Sequence, residues 1–439
     1  MVLTALRDDN DDPTVKDNPL TARHFYALAG VTVAVSLLKG LRLPSLWAAT
    51  QMTFNYSQGF VRRGLVGELL WLVSGGRLFR YGVVLLISLL LLGALVFQAC
   101  RMIGRAVRLD DGDVGLKAAI LVVVATPGVV FWAHMIGYLD YVGALFMASF
   151  ILWSARSPRP YAIFYVGAAG VVGLGLVHES MVIMFLPAAL FVMTCHTIVR
   201  TRESAGAPPT RRSLIAHLAV SAVVALIAAM SISRLGTRSV VLVDALRASI
   251  ASRANFNLRP DAFEPLSQPV SENLLHVMPA MFRFHPHHAM QVVHGLIVSG
   301  VGFIAIGNYA IRLIDRIGLT YRERTIVIAS FIVAMLAPLS LNFVGWDSAR
   351  WNAICVFNAF SCVIALKLFF TARAAEPSAQ GINGPGGLTL SAVAVVLGLV
   401  SNYDLFLFEG RVVQWFPFDE QVKAFVSLVG HGFQVIPDR

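Results

Sequence analysis

The sequence predicts an all-α protein, a polytopic transmembrane helical bundle of about eleven spans with interfacial helices in its long loops. Three observations predict it. Hydrophobic residues make up 57% of the 439 and charged residues only 14%, too little charge to keep so long a chain dispersed in water. Apolar runs of about 17–25 residues, the length that crosses a hydrocarbon core as a helix, recur along the chain. The two-residue alternation of a membrane-barrel strand is absent.

The spans are expected near 25–41, 81–100, 117–134, 139–155, 161–178, 180–198, 214–232, 291–310, 325–344, 352–371 and 387–404. Their connections fall into two sets. One carries Arg101, Arg105, Arg108 and Lys117, then Arg156 and Arg159, then Arg200, Arg202, Arg211 and Arg212, then Arg312, Arg316, Arg322 and Arg324, and last Arg373. The short connections of the other set, near 134–139, 178–180 and 345–351, hold only Arg350. Lys and Arg stay on the cytoplasmic side during insertion, so the first set is cytoplasmic. An odd number of spans then puts the N-terminus inside and the C-terminal tail outside, in the plasma (inner) membrane.

This ordering divides the chain into a cytoplasmic tail (1–24), an N-terminal membrane module (25–232), a large extracytoplasmic loop (233–290), a C-terminal membrane module (291–404) and an outer tail (405–439). The outer loop 42–80 holds Phe60–Ser74, which is amphipathic and too interrupted to span, and is expected along the interface. Residues 374–386 read as a flexible inner linker. Gly167, Gly170, Gly173 and Gly175 in the fifth span read as a close helix-packing face. The first apolar run has no small-residue cleavage site and is expected to remain as a span.

The formal charge of +10 does not imply nucleic acid, because the bases sit in short loops where they set orientation. Cys100, Cys195, Cys355 and Cys362 lie in or beside apolar runs and read as small packing residues. His285, His287 and His288 lack the i, i+4 spacing of a two-histidine zinc site and have no nearby carboxylate, so no metal site is expected there.

The informative residues are ionisable groups at the outer turns. Asp140 lies between spans three and four, His178 and Glu179 between five and six, Asp347 and Arg350 between nine and ten. Arg62, Arg63 and Glu68, with Asn55 and Tyr56, lie in the first outer loop. Short turns would hold these groups near a shared cavity. Each also has a plain reading. Asp140 suits a helix cap, His178–Glu179 a tight turn, and Asp347 and Arg350 an i, i+3 pair. Arg62 and Arg63 suit lipid phosphates, and Trp346 and Trp351 an interface belt. As a set, these groups point to chemistry on a substrate delivered from the outer leaflet.

This arrangement resembles the GT-C superfamily of membrane glycosyltransferases, in the loop FNYSQGFVRRGLVGELL, the second-loop Asp140, the third-loop His178–Glu179 and the large loop after the seventh span. The likeness is one of topology and covers about two thirds of the chain. It implies a GT-C-like fold and a sugar donor carried on a polyprenyl phosphate, with a glycan or glycolipid acceptor. No cofactor is required beyond, at most, a divalent cation. Asp140 or Glu179 would then take the acceptor proton. Arg62, Arg63 and Arg350 would meet the leaving phosphate, and His178 would position a substrate. The family usually has a carboxylate in the first outer loop. Here Asn55 cannot take a proton, and Glu68 lies on the amphipathic stretch. The competing readings are a polysaccharide polymerase or ligase, a lipid or glycan transporter, and a non-enzymatic scaffold. A transporter is disfavoured because midspan charges are almost absent.

Overall fold

The computed structural model describes residues 22–77, 79–203, 210–269, 286–345, 347–371 and 419–430, with Glu272, Leu275 and Pro279 besides. The expected span 387–404, the linker 374–386, Trp346, His285 and most of both tails lie outside the described residues.

The described chain is helical, with a single isolated bridge and no strand among the described residues. The first helix, α1 (Ala22–Gly40), leads into two short helices of the first loop, α2 (Leu46–Gln51) and α3 (Leu65–Val73). Then come α4 (Tyr81–Arg108), α5 (Val114–Ala125), α6 (Pro127–His134), α7 (Asp140–Ser154), α8 (Ala162–Val177), α9 (Ser180–Glu203) and α10 (Arg211–Leu235). The large loop folds as α11 (Val240–Ala251), a 3-10 turn (Pro260–Ala262) and α12 (Glu264–Ser267). The remainder is α13 (Pro286–Arg316), α14 (Tyr321–Leu336), a 3-10 segment (Ala337–Phe343), α15 (Ser348–Phe370) and α16 (Asp419–Gly430).

Among the described residues, five helical stretches are long and apolar enough to cross a membrane: Tyr81–Arg108, Ser180–Glu203, Arg211–Leu235, Tyr321–Phe343 and Arg350–Phe370. A sixth forms if α5 and α6 are one bent span. The protein is therefore an all-helical membrane protein. The expected fourth and fifth spans form as shorter apolar helices, α7 and α8.

Proline explains two departures from the expected spans. The run 117–134 is not one straight helix but bends by 44° at Thr126–Pro127. Proline pushes its predecessor out of helical geometry, and Thr126 has ψ 159°. Pro338, two residues past the end of α14, has no N–H to give to Ala334 O, and the chain continues there as a 3-10 segment. A third proline, Pro187, stays inside α9. A proline deprives carbonyls one turn back of their donor, which is costly where no water can replace it. Asn358 of α15 meets that need at Ala334 O, four residues before Pro338, donating to it at 3.1 Å, and it also donates to Met184 O of α9 at 2.7 Å.

The core lies where α9 and α15 pass through the bundle, and α15 packs on α13, α9, α14 and α6. Gly167 and Gly170 do form a packing face: a Cβ there would meet Met193 at 2.0 Å and Phe146 at 2.0 Å. Gly173 instead faces open space. Cys195, Cys355 and Cys362 are buried and Cys100 is exposed, all as free thiols.

The two long loops at one end are a single cap rather than separate excursions. Phe79 bridges to Ala254, with Phe79 N donating to Arg253 O at 2.8 Å and Asn255 N to Phe79 O at 3.0 Å. Arg238 Nε donates to Phe60 O at 2.6 Å, and Arg259 N donates to Thr50 Oγ1 at 3.0 Å.

Candidate functional site

Beneath this cap, between α9, α10, the start of α15 and the strap 261–269, lies a cavity of about 1040 Å³. Arg62, Arg63, His178, Glu179, Asp347 and Arg350 all face it, from three separate stretches of chain. Their approach follows from local geometry. Helices α8 and α9 are joined by only His178 and Glu179, so both side chains stay at the bundle end. Asp347 and Arg350 open α15 in the same way. Arg62 and Arg63 lie in a turn before α3 and not on the amphipathic helix expected from Phe60. Arg63 has φ +64°, which ends helical geometry there, and α3 begins only at Leu65. Left-handed backbone at a residue with a Cβ costs about 1–2 kcal/mol, and such strain gathers at functional sites. Gly236 packs against this turn and accepts from Arg62 N at 3.3 Å; a Cβ on Gly236 would lie 2.6 Å from that nitrogen.

Two arginine–carboxylate units dominate the electrostatics. Arg63 forks onto Glu179, with Nε at 3.1 and 2.9 Å from the two oxygens and Nη2 at 2.5 Å from Oε1. Arg350 forks onto Asp140 at 2.5 and 2.9 Å and reaches Asp347 at 3.1 Å. The Arg350 guanidinium lies 5.3 Å over the Tyr138 ring, which stacks on Trp47 at 5.4 Å. Asp140 is not an N-cap: Leu139 holds that position, and Asp140 is the first residue of α7. Nor does water or a headgroup compensate its charge, since it is 2% exposed and Arg350 supplies the partner. Asp140 sits behind Arg350 and does not line the cavity.

Burial alone would raise the Glu179 pKa, but attraction to Arg63, with a smaller part from Arg62, outweighs it and holds the carboxyl below its ordinary range. His178 moves the other way from protonation. Burial, reinforced by Arg63, pushes its pKa well below the usual value, so the ring is neutral. Its Nδ1 accepts from Ser180 N at 3.3 Å and lies 2.7 Å from Ser180 Oγ. A neutral ring accepting at Nδ1 carries its proton on Nε2, where it can donate.

Among the described buried cations of the cavity, Arg62 is the least satisfied. It is 1% exposed, gives one nitrogen to Gln268 O, and stands 4.0 Å from Glu179. Its Nε has no partner among the described residues. Burial and the neighbouring Arg63 charge lower its pKa, against Glu179. An arriving anion would relieve both conditions.

Three expected site residues serve the loop instead. Asn55 accepts from Ser57 N at 3.0 Å, and Glu68 accepts from Tyr56 N at 2.8 Å. Neither they nor the Tyr56 ring line the cavity; Tyr56 stacks on Phe60 at 5.5 Å. Conversely, Trp47, Arg234, Asp261, Glu264 and Gln268 line it without having been singled out. Arg234 lies two residues past the expected span 214–232, so its place at this end was readable. Glu264 was not, because nothing local says which part of a long polar loop folds back. Among the described residues no group of three His, Cys, Asp or Glu is placed to hold a metal ion.

No family model, characterised protein or solved structure matches the chain.

Proposed function

We propose that this protein is a GT-C-type glycosyltransferase of the plasma membrane, with about eleven spans and its cavity on the outer side. It moves a sugar from a polyprenyl-phosphate donor to an envelope glycan or lipid acceptor. The observation that carries this reading is the cavity's double character. Its lining combines Arg62, Arg63, Arg350 and the neutral donor His178 with apolar residues of α9 and α10, among them Ile183, Leu226 and Met230. Those three are exposed on the bundle surface as well, which suits a substrate with an anionic head and a lipid tail held in the bilayer.

The chemistry follows from these groups. As the acceptor oxygen attacks the anomeric carbon, the bond to the phosphate breaks and negative charge grows on the leaving oxygen. Guanidinium forks fixed beforehand stabilise that charge without reorganising. Asp140 and Glu179 hold Arg350 and Arg63 in place, which makes them positioning residues. Orientation rests on the weight of arginines in the opposite loops.

The test is transfer by the purified protein, in lipid nanodiscs, from a panel of short-chain polyprenyl-phosphate monosaccharides to water and to glycan acceptors. Release of polyprenyl phosphate that is lost in Arg62→Ala supports the reading. Absence of turnover with every donor rejects it.

A further inference from the structure

Resting on that transferase reading, we propose that Glu264 is the general base that accepts the acceptor's proton. The transfer needs a carboxylate with a free oxygen facing the cavity. Glu179 has both oxygens on Arg63, and Asp140 both on Arg350. Protonating either would strip a buried guanidinium of its counter-charge. Asp261 also faces the cavity, with its two oxygens on Arg259 at 3.1 and 3.0 Å. Asp347 has one oxygen on Arg350 at 3.1 Å. Glu264 faces the same space, exposed, and no hydrogen bond or ion pair ties its carboxylate to any described residue.

The backbone beneath it is fixed, as a base requires. Phe263 and Leu266 on either side are buried in the core, and Arg238 N donates to Leu266 O at 2.9 Å. Arg62 donates to Gln268 O, so the strap that carries the base also holds the least satisfied cation. The proposed base and the leaving-group arginine are thus set by one segment.

The step balances. The acceptor O–H proton passes to the Glu264 carboxylate while its oxygen bonds the anomeric carbon. The carbon–oxygen bond to phosphate breaks, its electron pair leaves with the polyprenyl phosphate, and Glu264 later returns its proton to water.

The experiment compares wild type, Glu264→Gln, Glu264→Ala and Asp347→Asn in nanodiscs with the same donor panel, with sodium azide as an alternative nucleophile. Azide needs no deprotonation, so it bypasses a missing base. Expected are a fall in kcat of about 10²–10⁴-fold in Glu264→Gln, an unchanged donor KM, unchanged thermal unfolding, and a glycosyl azide formed by Glu264→Ala. Wild-type turnover with an active Glu264→Gln overturns this assignment and leaves the transferase reading standing. So does a dead Glu264→Ala that yields no glycosyl azide, or azide rescue in Asp347→Asn with Glu264→Gln active. No wild-type turnover with any donor overturns both.

Discussion

The two ends of α15 carry buried charge networks built from similar ingredients, and they differ in what is left over. At one end Arg350 answers Asp140 and Asp347 beside the cavity. At the other, Lys367 lies 2.6 Å from Asp113 and 3.0 Å from Asp110. The two cations are separated by about 25 Å at 1.5 Å rise per residue, close to the thickness of a hydrocarbon core. In the Lys367 cluster each charge is answered: Asp113 also accepts from Tyr309 at 2.6 Å and caps α5 through Leu116 N at 2.9 Å, and Lys117 pairs with Asp111 at 2.8 Å. The cavity end keeps an unpartnered Nε on Arg62 and a carboxylate on Glu264 with no described partner. A closed network fastens helices together; an incomplete one beside a cavity is arranged for something that arrives.

The largest effect expected is at the incomplete end. Arg350→Ala strands Asp140, 2% exposed, without either of its bonds. Breaking a buried pair costs about 3–5 kcal/mol, and this site belongs at the upper end because no other donor among the described residues reaches Asp140. Thermal unfolding in detergent should show that loss, with transfer abolished. Adding Asp140→Asn should restore much of the stability and none of the activity. Equal recovery of both would make the pair purely structural and erase the contrast with the other end.

Lys367→Met is the matching test of the closed cluster. Asp113 keeps Tyr309 and the Leu116 N–H, so the cost falls to about 3 kcal/mol. Donor KM should stay unchanged. A shifted KM would mean that the two ends are coupled and that the closed cluster is more than a fastening. Between them, Asn358→Leu leaves the Met184 and Ala334 carbonyls without their donor and should cost about 2 kcal/mol by denaturant unfolding.

These contrasts show what a linear reading can reach. Helix positions followed from apolar length, and some ends from local chemistry, as where Thr320 and Glu323 form a capping box at the start of α14. The clustering of His178, Glu179, Asp347 and Arg350 at one end was legible because short turns leave side chains nowhere else to go, and Arg62 and Arg63 join them from the long first loop on the same side. The pairings were not. Arg350 and Asp140 are 210 positions apart, Arg63 and Glu179 are 116 apart, and Lys367 and Asp113 are 254 apart. No local pattern specifies such a contact. The same limit hid the Lys367 cluster: residues 101–117 were read for their bases, and Asp110, Asp111 and Asp113 gain meaning only from the lysines they meet.

The smallest effect distinguishes the two ends by pH. His178, 6% exposed on its side chain, faces Arg63, Glu179, Arg350 and Arg62 and is held neutral by burial first and then by the arginines. Its folded pKa lies below the unfolded value of about 6.5. Between those two values the unfolded chain binds the extra proton, so the contribution is fully present above about pH 6.5 and shrinks as pH falls. The slope for one such group is about 1 kcal/mol per pH unit. Glu179, also held low, adds a loss only as pH drops below its unfolded value of about 4.3. Unfolding followed from pH 7 to pH 5 should therefore show wild type losing more stability than His178→Asn, by about that slope. Asn preserves an acceptor near Ser180 while removing the titration. Parallel curves would mean that burial and the arginines do not lower the His178 pKa, and that the ring takes up a proton in the folded site as pH falls toward 5.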